Sequence, residues 1–200
     1  MPEHDMSFRI DESVVLVGAA ALILWLCSER LMQLLGLRQP KADKRERLSW
    51  YWHTLSFYGA VFFPLLDATV YHWSTVGPGL ASVRWVGVPL LSAGIVIRIV
   101  SRLALGKEFS AYVQTTQGHR LITTGIYRSI RHPAYLGYLC LLLGVPLCFG
   151  SVGGFVFAII SGIPALLYRV RIEEAVLERW FPGEYQQYQA TTRKLIPRLW

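Results

Sequence analysis

Long apolar runs separated by short polar ones dominate this chain. Five are distinguishable, over residues 13–37, 50–76, 84–105, 133–149 and 155–168. A helix needs about 20 predominantly apolar residues to cross a bilayer core. Each run therefore predicts a transmembrane helix, the last two being short. Only Gly150-Ser-Val-Gly-Gly154 lies between those two, which predicts a tight helical hairpin with Pro146 and Pro164 as kinking positions. The pattern as a whole predicts an all-α integral membrane protein. A single domain spans residues 1–200, with polar segments 106–132 and 169–200 beside the last spans.

Basic residues orient the spans. Arg38, Lys41, Lys44, Arg45 and Arg47 lie between the first two runs, and Lys107, Arg120, Arg128 and Arg131 follow the third. The C-terminal tail carries Arg169, Arg171, Arg179, Arg193, Lys194 and Arg198, whereas the opposite side has Arg9 and, at a boundary, Arg84. The N-terminus is expected outside and the C-terminus in the cytoplasm, as an odd number of spans requires. Trp50 and Trp52 at one end of the second span, and Trp73 and Trp85 at the other side, read as interface anchors.

Composition agrees: 53% of residues are hydrophobic and 16% charged, against about 25% charged in soluble domains. The net charge of +7 clusters at span ends. It therefore fits anionic lipid headgroups and excludes a nucleic-acid-binding face. Cys27, Cys140 and Cys148 sit within apolar runs and have no metal-ligand spacing. The acidic start, Met1 to Glu12, argues that the first run is a span and not a cleaved signal peptide.

Two polar clusters flank the last spans on the expected cytoplasmic side: the segment His119 to Gly137, and Arg169, Arg171, Glu173 and Glu174. Pro133 suits the first turn of a helix, where its missing N–H costs nothing. His132 and the preceding backbone would then sit at a helix N-terminus, with Tyr127, Tyr135 and Tyr138 near enough to offer aromatic faces to a cation. Arg98 and Arg102, four residues apart, share a helix face. Arg102 reads as snorkelling to the headgroups. Arg98, a turn deeper, fits snorkelling and binding of a carboxylate or phosphate equally. His53 and His72 read as structural, and Asp67 as held by a local hydrogen bond.

These residues fall into an ordered set of motifs: Leu105-Gly-Lys-Glu-Phe-Ser110, His119-x-Leu-x-Thr-Thr-Gly-x-Tyr127, Arg131-His-Pro-x-Tyr-x-Gly137 and Arg169-x-x-x-Glu173-Glu174-x-x-Leu177. Phe181-x-x-x-Tyr185-x-x-Tyr188 and Arg193-x-x-Ile-Pro197 continue it. The set resembles the isoprenylcysteine carboxyl methyltransferase family, relatives of the phospholipid methyltransferases, over roughly the second half of the chain. Ile126 stands where the family often has proline, and Pro182 where glycine is frequent. Both differences concern loop stiffness.

The resemblance implies an integral membrane enzyme using S-adenosylmethionine, with no metal. It implies a cofactor shell of His119, Leu121, Gly125, Tyr127, His132, Tyr135 and Glu174, joined by Gln114. Arg98 and Arg169 would hold the substrate carboxylate, with Glu173 beside them. The acceptor implied is a lipid-like or prenylated acid, and the compact length is similar to that of prokaryotic members, hence a prokaryotic cytoplasmic membrane. The alternative acceptor is a phospholipid headgroup amine, with Glu173 or His132 as base. A nicotinamide-dependent membrane reductase and a non-catalytic scaffold are further alternatives.

Overall fold

The structure is a computed structural model that describes residues 16–20, 22–23, 26–27, 44–77, 80, 82–106 and 120–196. The expected all-helical architecture is present. Helix α1 (Lys44–Leu66) runs on into a single π turn, Asp67–Tyr71. Then follow α2 (Ser82–Leu105), a 3₁₀ turn (Gly125–Arg128), α3 (Pro133–Phe149), α4 (Val152–Trp180) and α5 (Glu184–Thr191). Among the described residues there is no β-strand, only isolated bridges at Thr75–Ser151 and Ile130–Arg193. The described residues of the first apolar run are helical, and Leu22 and Leu26 from it pack on the core.

Two described helices, Ser82–Leu105 and Val152–Trp180, are long and apolar enough to cross a membrane by length and composition, and Pro133–Phe149 is a shorter apolar helix. Leu55, Val96 and Ile160 point outward from α1, α2 and α4 and are exposed, as suits hydrocarbon surroundings.

Two expected spans need correction. The run at 50–76 is not one helix: the helix begins at Lys44, and the π turn closes at His72, whose backbone is left-handed (φ 54°) and whose N–H returns to the Asp67 carbonyl at 2.7 Å. The run at 155–168 belongs to a helix that continues to Trp180. The apolar part of α4 ends at Tyr168, but the residues beyond it (Arg169 to Trp180) keep good helix formers with charges on one side. Hydropathy marks where lipid contact stops, and here the helix goes further. Just before Pro164, α4 contains a π turn, Ala158–Gly162. Proline lacks the N–H of a regular turn and crowds the carbonyl four residues back, and a wider turn relieves both.

The hairpin predicted at 150–154 is present. Gly150 takes a left-handed backbone (φ 63°), returning its N–H to Leu147 at 3.0 Å, and the Ser151 hydroxyl caps α4 by accepting from Gly154 N–H at 3.0 Å. Asp67 ties this end together. Its carboxyl accepts hydrogen bonds from Ser74 N–H (3.1 Å), the Ser74 hydroxyl (2.5 Å) and the Ser151 hydroxyl (2.6 Å). The expected local hydrogen bond is therefore found, and it extends to a distant helix. Arg84, fully buried, closes the same end by donating to the Val76 carbonyl at 3.2 Å. We predict that Asp67→Ala destabilises the fold by roughly 3 kcal/mol, since two hydroxyls lose a buried acceptor. Thermal unfolding in detergent checks this, and an unchanged melting temperature would contradict it.

The tightest packing joins α2 to α3, which run antiparallel. A Cβ at Gly94 would lie 2.8 Å from the Gly137 carbonyl oxygen, and one at Gly144 would lie 2.8 Å from Leu91 N. Leu91 and Ile95 of α2 meet Leu141, Leu142 and Val145 of α3 in the core, with Phe57 and Val61 from α1 and Leu166 from α4. This seam places Arg98, one turn beyond Gly94, against the start of α3.

Candidate active site

The loop before α3 and the tail after α4 are tied together by their backbones. Arg131 N–H donates to the Arg193 carbonyl at 2.7 Å, Arg193 N–H to Ser129 at 3.0 Å and His132 N–H to Lys194 at 3.1 Å. The Arg131 guanidinium caps the end of α5, donating to the carbonyls of Gln189 (3.1 Å) and Thr192 (2.6 Å). The Tyr188 hydroxyl donates to the Tyr127 carbonyl at 2.6 Å, and the buried Tyr127 hydroxyl donates to the Ser101 carbonyl of α2 at 3.4 Å. Burial pushes both hydroxyls up, Tyr188 to about 12 and Tyr127 further. Both remain protonated donors.

Two side-chain groups sit beneath this strap. The first centres on Glu174, buried near the end of α4. Its Oε1 lies 3.3 Å from both Arg131 Nε and His132 Nε2, and its Oε2 accepts from Lys194 Nζ at 2.7 Å. Burial alone would raise this carboxyl, but the hydrogen bonds and charges of His132 and Lys194 outweigh it and lower the pKa to about 2. Glu174 is thus a permanent anion and a poor proton acceptor. Beside it Tyr185 is fully buried, and among the described residues its hydroxyl has no partner.

The second group lies where α1, α2, α3 and α4 meet. Arg169, buried, donates from Nη1 to the Ser49 hydroxyl at 2.9 Å. Arg98 donates from Nη1 to the Ala134 carbonyl at 3.2 Å, and its Cζ lies 5.7 Å from the Tyr138 ring centroid, a cation–π distance. Tyr135 is within hydrogen-bonding reach of Glu173 and Arg169. The His53 ring stacks on Tyr138, with centroids 4.1 Å apart and planes at 27°, and meets Tyr135 edge-on at 6.1 Å. Glu173 Oε1 lies 3.9 Å from His132 Nδ1, which links the two groups.

Six of the residues singled out from sequence are brought together in these groups: Arg98, Arg169, Glu173, Glu174, His132 and Tyr135. Tyr127 lies at their margin, within electrostatic reach of Glu173 and Arg98. Leu121, half-buried, and Gly125, exposed at the start of the 3₁₀ turn, belong to the strap. Gly125 is required there because its φ of 61° is left-handed. Gln114 and His119 lie outside the described residues. Arg102 corrects the snorkelling expectation: it is 6% exposed, so its side chain is covered by the protein.

Ser49 was not singled out from sequence, and His53 was read as structural. The signal was present in the spacing Ser49-x-x-x-His53-x-x-Ser56, since polar residues at i, i+4 and i+7 form one stripe on a helix. That stripe faces α3 and α4: Ser49 meets Arg169, His53 meets Tyr138, and the Ser56 hydroxyl lies 2.8 Å from that of Ser161.

A family model described as phospholipid methyltransferase matches residues 82–184, a segment that includes both charged clusters. The chain belongs to the phospholipid methyltransferase family. Among similar members, it is 30% identical over 127 residues to protein-S-isoprenylcysteine O-methyltransferase A of Arabidopsis thaliana, covering 60% of this chain and 64% of that one. It is 25% identical over 194 residues to protein-S-isoprenylcysteine O-methyltransferase of Dictyostelium discoideum, covering 92% of this chain and 79% of that one. A solved structure of the eukaryotic intramembrane Ras methyltransferase, isoprenylcysteine carboxyl methyltransferase, shares the fold with a TM-score of 0.57 at 24% identity, over 72% of this chain and 52% of that one. The chain thus spans less than two thirds of the Arabidopsis relative and about half of the solved one. These relatives are eukaryotic, so they give no support to the expected prokaryotic membrane.

Proposed function

We propose that this chain is an S-adenosylmethionine-dependent methyltransferase that esterifies the carboxylate of a lipid-like acid such as an isoprenylcysteine. It acts at the cytoplasmic face of a membrane that it crosses five times. The observation that carries the reading is the convergence of Arg98 and Arg169 on Tyr135, Tyr138 and His53. Among the described residues, Glu173 is the carboxylate that shares Tyr135 with Arg169. Guanidiniums at Arg98 and Arg169 suit a carboxylate acceptor better than an ammonium group.

The residues present fit the cofactor. The carboxylates of Glu173 and Glu174 and the aromatic walls of Tyr135 and Tyr127 suit a cationic ligand, and the buried Tyr185 hydroxyl, without a partner among the described residues, suits a polar one. When bound, S-adenosylmethionine supplies a methyl group already activated on a positively charged sulfur. The protein's task is then alignment in a dry site. Arg98 is anchored through Ala134 and Arg169 through Ser49, so each guanidinium is held on a fixed base. A carboxylate acceptor has no proton to lose, so no general base is required.

We predict that Arg169→Lys or Arg98→Lys raises the KM for an acid acceptor by roughly 10- to 100-fold, the worth of one hydrogen bond to a charged group at about 1.5–3 kcal/mol. S-adenosylhomocysteine binding should be unchanged. Methylation assays with the two variants check this, and an unaltered KM would remove the arginines from the acceptor site.

A second reading, a headgroup amine as acceptor, is favoured by one observation: Glu173 lies 3.9 Å from His132 Nδ1, a pair able to pass on a proton. An amine acceptor must be deprotonated, so its rate would fall at low pH. A carboxylate acceptor would keep its rate until it is itself protonated.

A further inference from the structure

The acceptor group has a wall that the family match does not contain, because α1 lies outside residues 82–184. His53 is the centre of that wall. Its ring lies flat on Tyr138, which also meets the Arg98 guanidinium at 5.7 Å and the Phe57 ring at 4.7 Å, and the Tyr138 hydroxyl donates to the His53 carbonyl at 3.1 Å. Tyr138 is held by His53 from both its ring and its hydroxyl end. Arg98 and Arg169 both act on the His53 ring electrostatically. Its Nδ1 is buried and, among the described residues, has no hydrogen-bond partner. Native proteins seldom leave a buried ring nitrogen unpaired, and where they do a ligand commonly completes it.

A residue needed only for packing between two tyrosines would be better as phenylalanine, which stacks equally well and carries no polar atom to leave unpaired. A histidine here, with a buried Nδ1 that has no partner among the described residues, is explained by a polar task.

We infer that His53 sets acceptor specificity: its ring fixes Tyr138 and Arg98, and its Nδ1 supplies a hydrogen bond that a carboxylate held between Arg98 and Arg169 completes. The inference rests on the acid-acceptor reading above and adds α1 to the site. It names the ligand class as a monoanionic carboxylate and excludes the corresponding amide or ester as an equally good ligand.

The test uses the detergent-purified full chain, with N-acetyl-S-farnesylcysteine as acid acceptor and S-adenosylhomocysteine as the binding probe. His53→Phe keeps the stacking and deletes the nitrogen, and His53→Asn places a polar nitrogen close to the lost one. The expected result is a rise in acceptor KM of about tenfold or more in His53→Phe, with kcat and S-adenosylhomocysteine affinity within about twofold, and substantial recovery of KM in His53→Asn. A wild-type KM in His53→Phe overturns the inference, as does His53→Asn impaired to the same degree. Loss of S-adenosylhomocysteine binding by both variants also overturns it, by making His53 a packing residue. Wild-type protein that binds S-adenosylhomocysteine but leaves the acid unmethylated sinks the acid-acceptor reading itself, and the inference with it.

Discussion

Glu174→Ala is expected to abolish measurable S-adenosylhomocysteine binding in a calorimetric titration, and methyl transfer with it, while the helical bundle stays folded. The reason lies in what Glu174 joins. Its two oxygens take Arg131 and His132 from the loop before α3 and Lys194 from the tail. Without the carboxylate, Arg131 and Lys194 lose the counter-ion they share, and the strap loses its central tie. Removing one partner of a buried ion pair costs about 3–5 kcal/mol. Here the cost is nearer the lower figure, because the Lys194 side chain is 23% exposed and solvent screens it.

The backbone pairing of Arg193 with Ser129 and Arg131, and the Arg131 cap on α5, remain in the variant. The tail should therefore loosen without unfolding, and limited proteolysis should cut it faster beyond Trp180. Glu174→Gln keeps the acceptor oxygen and loses the charge, so it should retain weak binding. His132→Ala should fall between the two. Wild-type affinity in Glu174→Ala and His132→Ala would remove both from the cofactor shell. The acidity of Glu174 adds a further expectation. A carboxyl lowered from 4.5 to about 2 stabilises the fold fully above pH 4.5 and loses that contribution as pH falls towards 2. Any change in binding between pH 6 and 9 must then come from another group.

The same cluster shows what the sequence could and could not reveal. His132, Tyr135, Glu173, Glu174 and Arg169 were legible because they lie in motifs with fixed spacing around a proline-led helix start and a charged helix end. Their convergence follows once α3 and α4 are a hairpin, and the short Gly150-to-Gly154 turn makes them one. The helices of the third and fourth apolar runs were also legible, at 84–105 against Ser82–Leu105 and at 133–149 against Pro133–Phe149, because an apolar run bounded by Gly, Pro and charge has few ways to fold.

The contributions of α1 were not legible. Ser49 and His53 stand among Trp50, Tyr51 and Trp52, an aromatic stretch that reads as an interface belt. Only the partner helices distinguish the buried polar stripe from the exposed aromatic one. Nor does the sequence display the π turn at Ala158–Gly162, which shifts the face that α4 presents after it. Helix α5 escaped for another reason. It is polar and short, and beyond the buried rings of Tyr185 and Tyr188 it is tied to the loop before α3 by the Arg131 cap and by the Tyr188 hydroxyl on the Tyr127 carbonyl.

A large effect on the fold is expected at Gly94. An alanine there places its Cβ 2.8 Å from the Gly137 carbonyl oxygen, 2.9 Å from Leu141 Cγ and 3.0 Å from Leu141 N. Two of those three atoms are backbone of α3, which cannot retreat without moving the helix. Leu141 is itself fully buried between the helices, so its side chain has little space to yield. The two helices must separate, and the seam Gly87, Gly94, Gly137 and Gly144, which lets them approach this closely, opens along its length. Overpacking by a single methyl costs about 1–3 kcal/mol, and leucine at the same place should prevent folding. The effect should reach the site as well. Arg98 is one turn from Gly94 and rests on Ala134, and a Cβ at Gly137 would already meet Arg98 Cγ and N at 3.0 Å. Pushing α3 away therefore withdraws Ala134 and Tyr138 from Arg98, so Gly94→Ala should raise the acceptor KM even at temperatures where the protein stays folded. Gly77→Ala is the control, since none of the described residues lies within 4 Å of a Cβ there. A melting temperature for Gly94→Ala equal to that of Gly77→Ala would show that the helices are not in the contact from which the placement of Arg98 is argued.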